Sequence, residues 1–75
     1  MNYRKNFSEC LSSLRKQSGM SLVALGEALG VSDEAVRLME KGRRSPSFEI
    51  LIALADYFDI SLDYLVGRSD IPERR

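Results

Sequence analysis

The sequence predicts an all-α fold of five helices. Three observations carry this: apolar residues recur at spacings of three and four, a serine or asparagine precedes each apolar stretch, and glycines fall where the stretches end. The spacing matches a helix of 3.6 residues per turn. Small polar side chains accept hydrogen bonds from the unpaired amides of a first turn, and glycine takes the left-handed conformation of a helix end without a Cβ clash. Around Tyr57, Asp59 and Ile60 there is modest β propensity, but too few residues alternate to outweigh the caps on either side.

The first helix is expected to begin at Asn6, which with Glu9 resembles a capping box, and to place Phe7, Leu11 and Leu14 on one face before Gly19 stops it. Ser21 caps the second, where Leu22, Leu25 and Leu29 share a face that ends at Gly30. Val31 turns inward and Ser32 caps the third helix. Only two residues separate the two helices, and a joint that tight needs the positive φ that Gly30 tolerates; the joint is a helix-turn-helix. The third helix sends Val36 and Met39 inward and stops at Gly42. A short basic loop, Arg43 and Arg44, leads past Pro46 to Ser47, which caps the fourth helix. There, Phe48, Leu51, Ala55 and Phe58 are the expected core stripe. Ser61 caps a short fifth helix with Leu62, Leu65 and Val66, Gly67 ends it, and 68–75 remain as a tail.

Seventy-five residues suffice for one domain, 1–75, and exclude a two-domain enzyme. A composition of 44% hydrophobic and 29% charged residues is that of a globular chain. A core of this size supplies no more than about 3–5 kcal/mol, so self-association is a natural supplement. Cys10 is the only cysteine and the chain has no histidine, so Cys10 reads as a small buried apolar residue rather than a redox switch. With no signal-peptide pattern at Met1 and only short apolar runs, the expected setting is the cytoplasm, with no membrane contact. The net charge is zero but unevenly spread: residues 1–44 carry eight Lys and Arg against five Asp and Glu, and residues 45–75 carry three against six. One half can therefore face an anion. Nothing in the chain resembles a nucleophile–base constellation or a phosphate-cradling glycine loop, so no enzyme and no cofactor is expected. Asp56, Asp59 and Asp63 straddle two helices without the glycine-centred loop of a calcium site, and read as a solvated acidic face.

The run from Gly19-Met20-Ser21 to Gly30-Val31-Ser32, then Glu40-Lys41-Gly42, Pro46-Ser47 and Ile60-Ser61-Leu62-Asp63-Tyr64-Leu65, resembles the Xre/Cro/C1 repressor family over about residues 7–67. The resemblance implies a five-helix, lambda-repressor-like DNA-binding domain with its helix-turn-helix at helices two and three. It implies a transcription regulator, a repressor above all, that binds double-stranded DNA at a palindromic operator as a homodimer. Helix two, about 21–29, would lie across the phosphate backbone, and helix three, about 32–41, would be the recognition helix in the major groove. Ser32, Asp33, Glu34, Arg37 and Leu38 would then face the bases, with Arg43 and Arg44 on phosphate. Arg15 and Glu40 match a structural ion pair of the family.

Plainer readings stand beside these. Asp33 and Glu34 suit the positive end of a helix dipole and repel phosphate, though a carboxylate can also accept from cytosine N4. Arg37 suits guanine O6 and N7, or is a surface charge paired with Asp33 or Glu34. Arg43 and Arg44 are phosphate contacts or a solvated loop; Ser21 and Ser32 are caps first, with phosphate second; and Lys16 is free to reach phosphate. Leu22 and Leu38 replace polar family residues, which motivates an alternative: a protein-interaction module of the same fold, such as an antitoxin engaging a toxin. Tyr57, Leu62, Tyr64 and Ile71 are candidates for a dimer surface.

Overall fold

The computed structural model describes residues 2–73 and contains five helices among them: α1 (Tyr3–Gln17), α2 (Leu22–Leu29), α3 (Asp33–Glu40), α4 (Phe48–Phe58) and α5 (Leu62–Leu65). The Arg74–Arg75 end of the expected tail lies outside the described residues. Ser21, Ser32, Ser47 and Ser61 cap as the sequence leads one to expect, each hydroxyl accepting from the amide three residues on. All five helices end in one pattern, in which the amide beyond a left-handed residue reaches back five positions. Examples are Val31 to the Gly26 carbonyl at 2.8 Å and Arg43 to the Leu38 carbonyl at 2.9 Å. Glycine supplies the left-handed residue in four cases and Asp59 in the fifth.

Two local expectations are corrected. Asn6 does not cap α1. Asn2 does, its Oδ1 accepting from the Lys5 amide at 3.0 Å, and the helix starts at Tyr3. Nothing in Tyr3-Arg4-Lys5 breaks a helix, so the earlier of two asparagines takes the cap, while Asn6 lies inside the helix and packs against Gly67, where an added Cβ would come within 2.7 Å of it. The expected stripe on α4 is also wrong at its first member: Phe48 is 71% exposed, whereas Ile50 and Leu54 are buried with Ala55. The helix reads FEILIALADYF, so almost any spacing of three or four finds apolar residues. Contact with the other helices selects the 50–54 row, and Leu51 and Phe58 pack half-buried beside it.

The core gathers Phe7 and Leu11 from α1, Leu25 from α2, Val36 and Met39 from α3, Ile50, Leu54 and Ala55 from α4, then Ile60 and Leu65. Every helix contributes, so none is stable as an isolated piece of this length. Cys10 packs half-buried on the same cluster, and burial pushes its thiol pKa up, against the reactive thiolate. Residues after α5 fold back rather than trail: the Ser61 amide donates to the Pro72 carbonyl at 2.8 Å. Of the four candidates for a dimer surface, Tyr64 packs half-buried against the core, while Tyr57, Leu62 and Ile71 are exposed. Among the described residues, no helix is long and apolar enough to cross a membrane.

Candidate nucleic-acid interface

The position of α3 is set by the turn before it. Gly30 is left-handed, at φ 75°, and closes α2. Gly26, inside α2, was not singled out from the sequence, yet it lets the turn pass: a Cβ there would stand 2.6 Å from the Val31 carbonyl oxygen and 3.2 Å from the Ser32 backbone. Its signal was available, since a glycine inside a helix costs about 1 kcal/mol relative to alanine and calls for a packing reason. Burial of Ala35, Val36 and Met39 then fixes which side of α3 faces the core. Helical geometry turns Glu34, Arg37, Leu38 and Lys41 to the opposite side. Lys41 is a second residue that sequence reading missed; it lies four positions beyond Arg37 and is exposed.

The far end of α3 is braced. Arg15 Nη2 donates to Glu40 Oε1 at 3.1 Å and Arg15 Nε to Glu40 Oε2, while Nη1 donates to the Met20 carbonyl at 3.0 Å. Both side chains are largely covered, at 16% and 11% exposure, and the hydrogen bond to Glu40 pushes the guanidinium pKa still higher. The pair joins the end of α1, the α1–α2 corner and the end of α3. Lys16 is exposed next to Arg15 on that corner, and Ser21, also exposed, spends its hydroxyl on the Ala24 amide at 3.0 Å.

At the start of α3, Ser32 likewise spends its hydroxyl on the Ala35 amide at 3.1 Å, and Asp33 and Glu34 are exposed in the first turn. Arg37 does not stand free. Its Nε donates to Glu34 Oε1 at 3.0 Å and its Nη2 to Glu34 Oε2, with 41% and 59% of the two side chains exposed. The Arg37 guanidinium holds the Glu34 carboxyl below the usual carboxylate range. Arg43 is pinned to α3 by its backbone, and both Arg43 and Arg44 are exposed. Arg4, the third residue missed, donates from Nε to Ser45 Oγ at 3.1 Å and so ties this loop to the start of α1.

Leu22 is not an open apolar residue: it packs half-buried against the core, and Leu38 is itself only partly exposed. Half the motive for a protein partner on this face is thereby removed. Among the described residues, no cluster of His, Cys, Asp or Glu is arranged to hold a metal ion.

A five-helix unit whose second and third helices meet at a left-handed glycine, with one face of the third open and flanked by arginines, is a helix-turn-helix DNA-binding domain in its geometry. Known proteins agree. The family model described as Helix-turn-helix (HTH_3) matches residues 11–65, and this chain belongs to that Xre-type family of DNA-binding transcriptional regulators. It is 41% identical over 58 residues to the HTH-type transcriptional regulator AnsR of Bacillus subtilis, covering 77% of this chain and 50% of AnsR. A transcriptional regulator from Listeria innocua superposes with a TM-score of 0.79 at 41% identity, covering 81% of this chain and 57% of that one. The P22 c2 repressor, solved in complex with synthetic operator 9T, superposes with a TM-score of 0.78 at 32% identity, covering 84% and 96%. The chain spans about half the length of the curated relatives it matches.

Proposed function

We propose that this chain is the sequence-reading domain, 1–75, of a repressor that works in the cytoplasm, binding a palindromic operator as a homodimer and catalysing nothing. The observation that carries this is the division of α3: its inner side is consumed by the core, while its outer side, with Arg37 and Lys41, is open and leads directly into exposed Arg43 and Arg44. Neutral overall charge is no obstacle, because phosphate affinity needs cations on one surface rather than in total. The similarity to a repressor solved on its operator supports the same reading. One copy spans 28 × 23 × 22 Å and carries one α3, less than the ~34–36 Å between successive major-groove faces, so a palindrome calls for two copies. In this arrangement Ser32, Asp33, Glu34, Arg37 and Leu38 line the base side, and Arg43, Arg44, Lys16 and the α2 start at Ser21 approach phosphate.

The test is selection of preferred sites from a random duplex pool, with oligomeric state measured alongside and affinity followed across a salt series. The expected results are a two-fold symmetric site, dimer stoichiometry on DNA, and log K falling by roughly 0.9 per phosphate contact for each tenfold rise in salt. Arg37→Ala should relax preference at one base pair per half-site, while Arg43→Ala weakens all sequences alike and flattens the salt slope by about one contact. No enrichment from the pool, or salt-independent binding, overturns the proposal.

A further inference from the structure

We infer that Glu34 is a positioning residue for base recognition: its carboxylate orients the Arg37 guanidinium so that the remaining donor fork reads one guanine, and Glu34 itself contacts no base. This rests on the proposal that the outer side of α3 faces DNA.

The argument begins with the donors. A guanidinium is planar and carries five N–H groups in fixed forks. Glu34 occupies the side fork, accepting from Nε at 3.0 Å and from Nη2. That leaves the end fork, one N–H each from Nη1 and Nη2, on the far side of the guanidinium from Nε. Two parallel donors of that spacing match O6 and N7 of guanine. An arginine alone on a helix surface samples many rotamers and must lose that freedom to bind, whereas one already held by two hydrogen bonds has less to lose.

The acceptor side points the same way. Both Glu34 oxygens are committed to Arg37, so turning one toward cytosine N4 would sacrifice a charge-assisted bond. The neighbouring charges reinforce the pairing: Lys41 favours the Glu34 carboxylate and Asp33 favours the Arg37 cation. Electrostatically, the pair is neutral. Arg37 therefore adds little to sequence-independent attraction, which falls to Arg43 and Arg44, and it is kept from spending its side fork on phosphate. The two acidic residues at the start of α3, unfavourable for DNA as bare charges, become part of the reading device.

The experiment is site selection with the full chain in four forms: wild type, Arg37→Ala, Glu34→Gln and Glu34→Asp. Glu34→Gln removes the charge at constant size, and Glu34→Asp keeps the charge but shortens its reach. Both substituted side chains reach solvent, Glu34 more than Arg37, and matching thermal melts check that each variant folds. In the wild type, the guanine read by Arg37 is preferred by about 5- to 150-fold over other bases. Both Glu34 variants are expected to lose most of that preference at the same base pair that Arg37→Ala affects. Glu34→Gln should also steepen the salt slope by up to about 0.9, as a released Arg37 finds phosphate. Loss of preference at a different base pair would show the carboxylate reading DNA directly and overturn the inference, as would an unchanged wild-type pattern in both Glu34 variants. A wild type that selects no site defeats the DNA reading itself, an outcome distinct from a selected site that ignores Glu34.

Discussion

Glu40 and Glu34 stand six positions apart on α3, and each accepts a two-bonded fork from an arginine, yet they sit in different media. The Glu40 pair reaches across the fold to Arg15 and is mostly covered; the Glu34 pair spans one turn of a single helix and lies in water. Coverage decides what each is worth. In the covered pair, removing one partner strands a charge that water reaches poorly, so the pair braces the end of α3 against α1 and the α1–α2 corner. The exposed pair is screened and adds little to folding, which leaves it free to act on whatever approaches α3. One helix thus carries a bolt at its covered end and a reader on its open side.

Perturbing the inner side should produce the largest effects. Gly26→Val would force two methyl groups into the Val31 and Ser32 backbone, where no flexible side chain can move aside. A loss of about 3 kcal/mol is expected, read as a fall in denaturation midpoint, together with lost DNA binding because the α2–α3 angle changes. An unchanged midpoint would show the turn to be looser than its geometry indicates.

Glu40→Ala should cost about 2–3 kcal/mol, short of a fully buried pair because some water reaches both groups, and lower Tm by about 10–20 °C. Glu34→Ala should leave Tm almost unchanged. Equal losses in the two variants would erase the distinction between bolt and reader.

The smallest effect concerns protonation. Because the Arg37 hydrogen bond depresses the Glu34 pKa in the folded state, the small stabilisation from this pair is present above the unfolded-state value near ~4.3 and fades as pH falls through the lower folded value. An NMR titration should therefore find the Glu34 midpoint below the ordinary glutamate range in the wild type and back within it in Arg37→Ala. A wild-type midpoint at or above that range would mean that the pair does not persist in solution.

Much of this architecture could be read from local chemistry. A serine hydroxyl three residues before a free amide, or a glycine where φ must be positive, acts within one turn of chain, and so Ser21, Ser32, Ser47, Ser61, Gly30 and Gly42 were legible. The misreadings share a cause. At the start of α1, two asparagines offered the same local chemistry; along α4, nearly every residue was apolar, and in both places sequence spacing fitted more than one answer. At Leu22, a departure from the family pattern suggested an open apolar surface, while the fold draws that side chain against the core.

By itself, the sequence determined five helices, their caps and the helix-turn-helix, because hydrogen bonds to adjacent amides and steric limits on φ depend on neighbours a few residues away. The tertiary structure alone decided which row of α4 is buried, that Gly26 makes room for the turn, and that the Arg37 guanidinium settles on Glu34 rather than Asp33. Those outcomes depend on where separate helices and competing side chains meet in space, and a periodic pattern narrows that choice without making it.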